Sequence, residues 1–312
     1  LSPRPFRSVH PHSSMPAGVG SCPLEIFERI GWDDRVGATY LASAADKELV
    51  LRVDNSTKGI VTLEAAFLKK AEEAGEWRKF SQIHSSWVTD HFAFLALYFR
   101  SGPTLSQCFE FCGKKFSLAT AARLGQDILS IIRSLHSLGY LSRCLNVDLF
   151  HFDAASRHLF MADISNIRPN PMLHNLPGTL WVGGSLLAPL AWHSGSSLTA
   201  GDEVEAWFYL MAQFVSGELP WQSGRAEDVF ESKKGFIHNL LFPSALAPLA
   251  KLVQGVAGKE SIADSDWKNL DNELMAMWKT AGVKDHDDNL DFERDPNEEE
   301  LPKFVMERIP ID

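Results

Sequence analysis

The chain contains no run of eighteen or more apolar residues, so neither a membrane-spanning helix nor a membrane partner is expected. It has only four cysteines, Cys22, Cys108, Cys112 and Cys144, at spacings that fit no common zinc pattern. A chain of 312 residues can bury a core without disulfide staples, so a reducing, cytoplasmic compartment is the simpler expectation, with no metal site. Basic excess is also missing: the net charge is −10, and without a basic stripe nucleic acid is not an expected partner. The stretch Leu1 to Cys22 is rich in Pro, Ser, His and Gly but lacks the apolar centre of a signal peptide. It begins with Leu rather than Met, from which a longer parent chain is expected.

What is present is ordinary for a globular protein. Hydrophobic residues make up 45% and charged residues 22%, and the length suits one large domain or two packed lobes. The charge is uneven. Residues 285–300 hold nine acidic side chains and one basic one, so this window carries −8 and the remaining body is nearly neutral. Three regions are expected: a flexible segment over 1–24, a folded domain over 25–283 and an acidic tail over 284–312.

Periodicity orders the middle region. Val50 to Val53 and Phe92 to Tyr98 have strand composition, and between them Leu63, Phe67, Leu68 and Ala71 fall on one helical face. The clearest helix is expected over 117–139. Its stripe is Leu124, Ile128, Ile131, Ile132, Leu135 and Leu138, with Ser117 as N-cap and Gly139 as the stop. A second apolar helix is expected from about Asp202 to Ser216, ended by Gly217 and Pro220, with mostly helix to about Gly282. The class is therefore α+β: a small strand-rich lobe, then a larger helical one.

Three stretches carry a family resemblance. "ARLGQDILSIIRSLHSLGYLSRCLNVDLF" resembles the helix and catalytic loop of the protein kinase superfamily, within its casein-kinase-1 group and closest to the tau-tubulin kinase branch. "GTLWVGGSLLAP" is similar to the segment after that family's activation loop, and "GDEVEAWFYLMAQFVSGELPW" to its central helix. The resemblance implies a two-lobed kinase-like fold, with landmarks in order from about Ile30 to Trp221.

Phosphoryl transfer needs a glycine-rich cover, a cation on the phosphates, held magnesium and a base for the acceptor hydroxyl. The resemblance places the cover at Gly31 to Gly37. There the middle glycine is absent, Trp32 is bulky, and Asp33 and Asp34 would repel phosphate. It places the cation at Arg52 with Glu64 as ion-pair partner, a pair able to hold a helix against the sheet without nucleotide. Tyr98 falls near the residue guarding the adenine pocket, and with Trp32 it is expected to narrow that space.

In the catalytic loop the family's histidine becomes Ser142, its basic aspartate Cys144, its lysine Asn146 and its magnesium-binding asparagine Leu149. A thiol cannot accept and orient a hydroxyl proton as a carboxylate does, and leucine offers no oxygen to a hard cation. Asp148 as a substitute base, or Cys144 as a reactive thiol, are the alternatives to an inert loop. Asp163 survives from the metal-binding triplet, now Asp163-Ile164-Ser165, and reads as a weak magnesium ligand or as a loop aspartate bonded to backbone. His136, His151 and His158 show no ligand spacing, and the family's central-helix aspartate falls on Glu203.

The expectation is a catalytically inactive kinase-like module that needs no cofactor and binds a protein partner, a cytoskeletal one being conceivable from the resemblance. The acidic tail, with Asp291-Phe292 and "EEELPKFV", reads either as a docking segment or as a tail lying on its own body. The other expectation is a nucleotide-responsive or weakly active phosphotransferase using Arg52, Glu64 and Asp163.

Overall fold

Alternating apolar residues call for a sheet with buried faces. The computed structural model describes residues 24–34, 37–222, 224, 226–238, 242–282 and 289–293, and these fall into two compact units that meet in sequence at Arg100 and Ser101. The first is an antiparallel sheet of β1 (Glu25–Asp33), β2 (Gly37–Ala44), β3 (Lys47–Asn55), β4 (Ile83–Val88) and β5 (Phe92–Tyr98), ordered β1-β2-β3-β5-β4. One helix, α1 (Ile60–Glu73), lies between β3 and β4 in sequence.

The register assigns the faces. Leu49, Leu51 and Val53 stand opposite Tyr98, Ala96 and Phe94, and cross-strand partners share a face. That face buries with Leu24, Tyr40 and Ala42, and Trp87 stacks on Phe94 at 4.8 Å. Val50 and Arg52 lie on the other face, opposite Leu97 and Leu95. There α1 buries Val61, Ala65, Phe67, Leu68 and Ala71, and Phe67 meets Phe80 edge-on at 4.8 Å.

The second unit is helical. Its elements are α2 (Leu105–Phe111), α3 (Leu118–Ser137), β6 (Tyr140–Leu141), β7 (Phe150–Asp153), β8 (His158–Met161), β9 (Arg168–Pro169), α4 (Pro171–His174), α5 (Leu190–His193), α6 (Ala200–Ser216), α7 (Ala226–His238), α8 (Ala247–Val256) and α9 (Asp264–Thr280). Ser117 caps α3 by accepting from Thr120 N, and Gly139 follows the helix with φ 83°.

The expected start of α6, about Asp202, is met to within two residues. The helix begins at Ala200, because Thr199 and Asp202 form a capping box: Thr199 N donates to Asp202 Oδ2 at 2.8 Å and Asp202 N to Thr199 Oγ1 at 3.3 Å. Asp202 therefore belongs to the first turn. Helices α3 and α6 approach closely at Gly125, whose carbonyl accepts from Trp207 Nε1 at 2.9 Å. A Cβ at Gly125 would sit 2.1 Å from Met211 Sδ, so any larger residue at this crossing requires the methionine side chain to move.

The described part of the tail packs on its own body. Asp291 accepts from both Ser117 N and Ser117 Oγ at the start of α3. Phe292 is buried against Phe152 and Phe116, with ring centroids 5.0 and 6.1 Å away. Arg157 grips Glu293 with two nitrogens at 2.8 and 2.6 Å. Cys22, the stretch "EEELPKFV" and the rest of the acidic window lie outside the described residues.

Candidate functional site

In the sheet unit, the β1–β2 hairpin lies tightly on β3. Gly37 has φ 86°, and a Cβ there would meet Val53 O at 2.2 Å, which no side chain tolerates. Trp32 does not fold back as expected. It is 63% exposed, and its indole N–H donates to Asp34 Oδ1 at 3.2 Å. Lys58 bonds the Asp34 carbonyl and pairs with the buried Asp54 at 3.1 Å, fixing the hairpin end. The Asp33 side chain, Arg35 and Val36 lie outside the described set.

Arg52 and Glu64 meet as the resemblance implied. Arg52 Nη1 lies 3.0 Å from Glu64 Oε1, with both side chains buried. Tyr98 does not share that neighbourhood. Its register partner is Leu49, so it faces away from Arg52, with its ring beside His84 at 5.3 Å and under Lys47 Nζ at 5.1 Å. Leu95 and Leu97, opposite Arg52 and Val50, lie on the Arg52 face of β5. The expectation that Tyr98 narrows the space beside Arg52 is not met, because the pleat turns it to the opposite face.

In the helical unit, Ser142, Cys144, Asn146 and Leu149 lie in one loop between β6 and β7. The loop is bonded to itself. Ser142 Oγ donates to Cys144 O, and Asn146 Oδ1 accepts from Asp148 N at 2.9 Å and Leu149 N at 3.2 Å. The Asn146 amide donates to Cys144 Sγ at 3.6 Å, and both Cys144 and Leu149 are buried. Asn146 thus caps the short turn Val147–Leu149. Asp148 is exposed on that turn. Asp163 accepts from Ser165 N at 2.9 Å, the backbone contact of a loop aspartate.

Sequence reasoning named Glu203 but missed its reach. One carboxylate oxygen accepts from Arg143 N at 2.6 Å, and the other lies 2.8 Å from His136 Nε2. A fully buried glutamate ties the loop to α3 and α6. The sequence also hid a second buried cluster. Lys233, fully buried, donates to the carbonyls of Ser185 and Ala188 at 2.6 and 2.5 Å and lies 3.4 Å from His193 Nε2. Glu205 accepts from Leu190 N and from Tyr209 Oη. Burial lowers the Lys233 amine to about 7, opposed by the nearby Glu205, and burial raises Glu205 to about 7 against its hydrogen bonds. The signal available was Glu205 itself, a charge inside the apolar run "EVEAWFYLM".

Burial also raises the thiols of Cys108 and Cys112, to about 12 and about 11, so neither is a ready nucleophile. A cavity of about 300 Å³ lies between α3, β8 and α9, lined by Arg123, Asp127, Arg133, His158, Trp267 and Asp271. Its charges are matched internally: His158 and Leu159 N bond Asp127, and Arg133 bonds Asp264. Among the described residues no cluster of three His, Cys, Asp or Glu is set to hold a metal ion, and no helix is long and apolar enough to cross a membrane.

With this geometry in hand, comparison decides the architecture. The structure of vaccinia related kinase 3 superposes with a TM-score of 0.70, covering 87% of this chain and 93% of that one at 16% identity. The fold is protein-kinase-like. At that identity the likeness speaks for the fold and nothing finer. No protein-family model matches the kinase-like chain. Its sequence is similar to the piRNA biogenesis factor prde-1 of Caenorhabditis elegans, 24% identical over 232 residues, which is 66% of this chain and 44% of that protein. It is also similar to a probable casein kinase I homolog of Encephalitozoon cuniculi, 31% identical over 132 residues, or 40% of this chain and 43% of the homolog. The chain thus spans less than half the length of either relative. The second match agrees with the casein-kinase-1 resemblance of the loop and central helix.

Proposed function

We propose that this kinase-like chain does not transfer phosphate and acts as a protein-binding scaffold. One observation carries the reading: the catalytic loop spends its side chains on itself. Asn146 satisfies the turn's own N–H groups, and Cys144 and Leu149 are buried where a base and a metal ligand would be needed. Asp163, the carboxylate retained from the metal-binding triplet, accepts a backbone N–H. The resemblance of the loop and central helix to the tau-tubulin branch makes a cytoskeletal partner conceivable. One relative in sequence carries a name that refers to piRNA biogenesis rather than to phosphotransfer.

The test is transfer of labelled phosphate from ATP, with magnesium or manganese, to generic acceptors and to the chain itself. The expected result is no transfer above that of a heat-denatured control. Transfer that disappears in Asp148→Asn or Asp163→Asn overturns the proposal.

A second reading has its own support. The buried Arg52–Glu64 pair is formed, as a nucleotide-responsive protein would require. Saturable thermal stabilisation by ATP that vanishes in Glu64→Ala favours it, since a ligand stabilises only the state it binds. Stabilisation by ATP without transfer separates a nucleotide switch from an enzyme.

A further inference from the structure

We propose that the chain self-associates through the face presented by residues 172–182 of the helical unit. Half of the ten exposed large apolar side chains among the described residues stand there: Met172, Leu173, Leu176, Leu180 and Val182, each between 40 and 62% exposed. Their exposed areas sum to on the order of 400 Å² of apolar surface within eleven consecutive residues, comparable to the patch sizes that mark contact sites on monomers. Residues 172 to 178 are exposed without interruption, which extends the face toward the roughly 800 Å² per partner of a stable interface.

The exposure is not that of a loose loop. Asn170 N donates to Gly139 O at 2.8 Å, and the Asn170 side chain accepts from Met172 N at 3.1 Å, starting α4. Further on, Val182 N donates to Arg143 O at 2.8 Å and Leu198 N to Thr179 O at 2.7 Å. Arg143 Nε donates to Leu180 O at 2.9 Å. The backbone is pinned on both sides of α4 while the leucines point outward.

Charge selects the occupant. No Asp, Glu, Lys or Arg occurs from Pro169 to Gly201, a stretch of 33 residues. The nearest guanidiniums, of Arg143 and Arg168, are turned to carbonyls of their own chain. Such a face offers nothing to an acidic or basic partner, whereas a copy of itself meets no like charge across a two-fold axis. The acidic anchor does not oppose this pairing. Asp291 binds Ser117 at the start of α3, while Leu173 and His174 lie beside Gly139 just past its end. The 20 residues of α3 separate the two by about 30 Å, several times the screening length of about 8 Å at physiological salt.

The face stands whether or not the loop transfers phosphate, so its test and the ATP test fail independently. Sedimentation velocity from about 1 to 100 μM should show a concentration-dependent dimer that does not weaken between about 0.1 and 0.5 M salt. Leu173→Asp and Leu180→Asp should each weaken it at least tenfold with unchanged melting, while Val88→Asp, on an exposed position of β4, should not. A wild type monomeric throughout, a dimer that persists in both variants, or one dispersed by salt overturns the proposal. So does a chain that dimerises only after removal of residues 1–23 or 294–312, since its own ends would then cover the face. Binding of a different protein that is lost in Leu173→Asp, by a wild type that stays monomeric, also overturns it.

Discussion

Glu203 Oε1 accepts the backbone N–H of Arg143 at 2.6 Å, and Arg143 stands in left-handed backbone at φ 64°. A non-glycine residue there costs roughly 1–2 kcal/mol, so the loop needs a fixed partner to stay in place. Glu203 supplies it from α6 and holds His136 of α3 with its other oxygen. Loop shape is thus maintained by a buried carboxylate that joins the loop to two helices.

Replacing Glu203 should show this as stability. Glu203→Ala leaves a buried N–H and His136 without their acceptor and should cost about 2–4 kcal/mol in urea unfolding. Glu203→Gln keeps one acceptor oxygen and should cost about half as much. A loss below about 1 kcal/mol for the alanine variant contradicts the role.

The Lys233 cluster predicts a pH signature. The folded amine is lowered to about 7 from an ordinary 10.5, so between those values the unfolded chain binds more protons and stability rises with pH. Glu205 is raised to about 7 from 4.5, so stability falls as pH rises from 4.5 to 7. His193, lowered to about 4 by burial and then by Lys233, works against Glu205 on the acid side. The alkaline limb is the cleaner readout. Lys233→Met should flatten the rise in melting temperature between about pH 7 and 9 relative to wild type, below the range in which the raised Cys108 and Cys112 thiols act the other way. Parallel profiles for the two proteins would count against the cluster.

The tail anchor predicts a third effect. Phe292→Ala empties an aromatic site beside Phe116 and Phe152 and should cost about 3–4 kcal/mol. Asp291→Ala removes the bonds to Ser117 at the helix start and should cost about 1 kcal/mol. The Glu293 carboxyl is lowered: burial acts to raise it, but the hydrogen bonds from Arg157 and Leu290 N prevail. Its contribution is therefore present above the unfolded value of 4.5 and is lost as pH falls through the lowered one. Arg157→Ala should remove that acid sensitivity. Limited proteolysis after Glu293 that leaves the melting temperature of Phe292→Ala and wild type equal would refute the anchor.

The parts of this fold legible in the sequence are those where one local pattern suffices. The β5 strand, the Ser117 cap and the Gly139 stop needed only alternation, helical spacing and turn chemistry. The loop residues Cys144 and Leu149 were named from their place in the sequence, but their burial and the Asn146 cap beside them were not foreseen. Where counting had to be accurate to one residue, as for Tyr98, the pleat reversed the answer. Contacts spanning long separations had no local trace: Lys233 reaches Ser185 over 48 residues. Met172 to Val182 gave no warning either, because apolar composition does not say which side of a chain meets solvent.

The bond between Ser117 and Asp291 also dictates an order of events during synthesis. The two residues are 174 positions apart, so at ordinary translation speeds the start of α3 leaves the ribosome about 10–35 s before its partner exists. For that interval the first turn of the longest helix has Ser117 alone as its cap, and the pocket for Phe292 is open to the cell. The nascent chain is thus held to a late closing step, and chaperone dependence should track the arrival of residues 290–293 rather than the completion of α3.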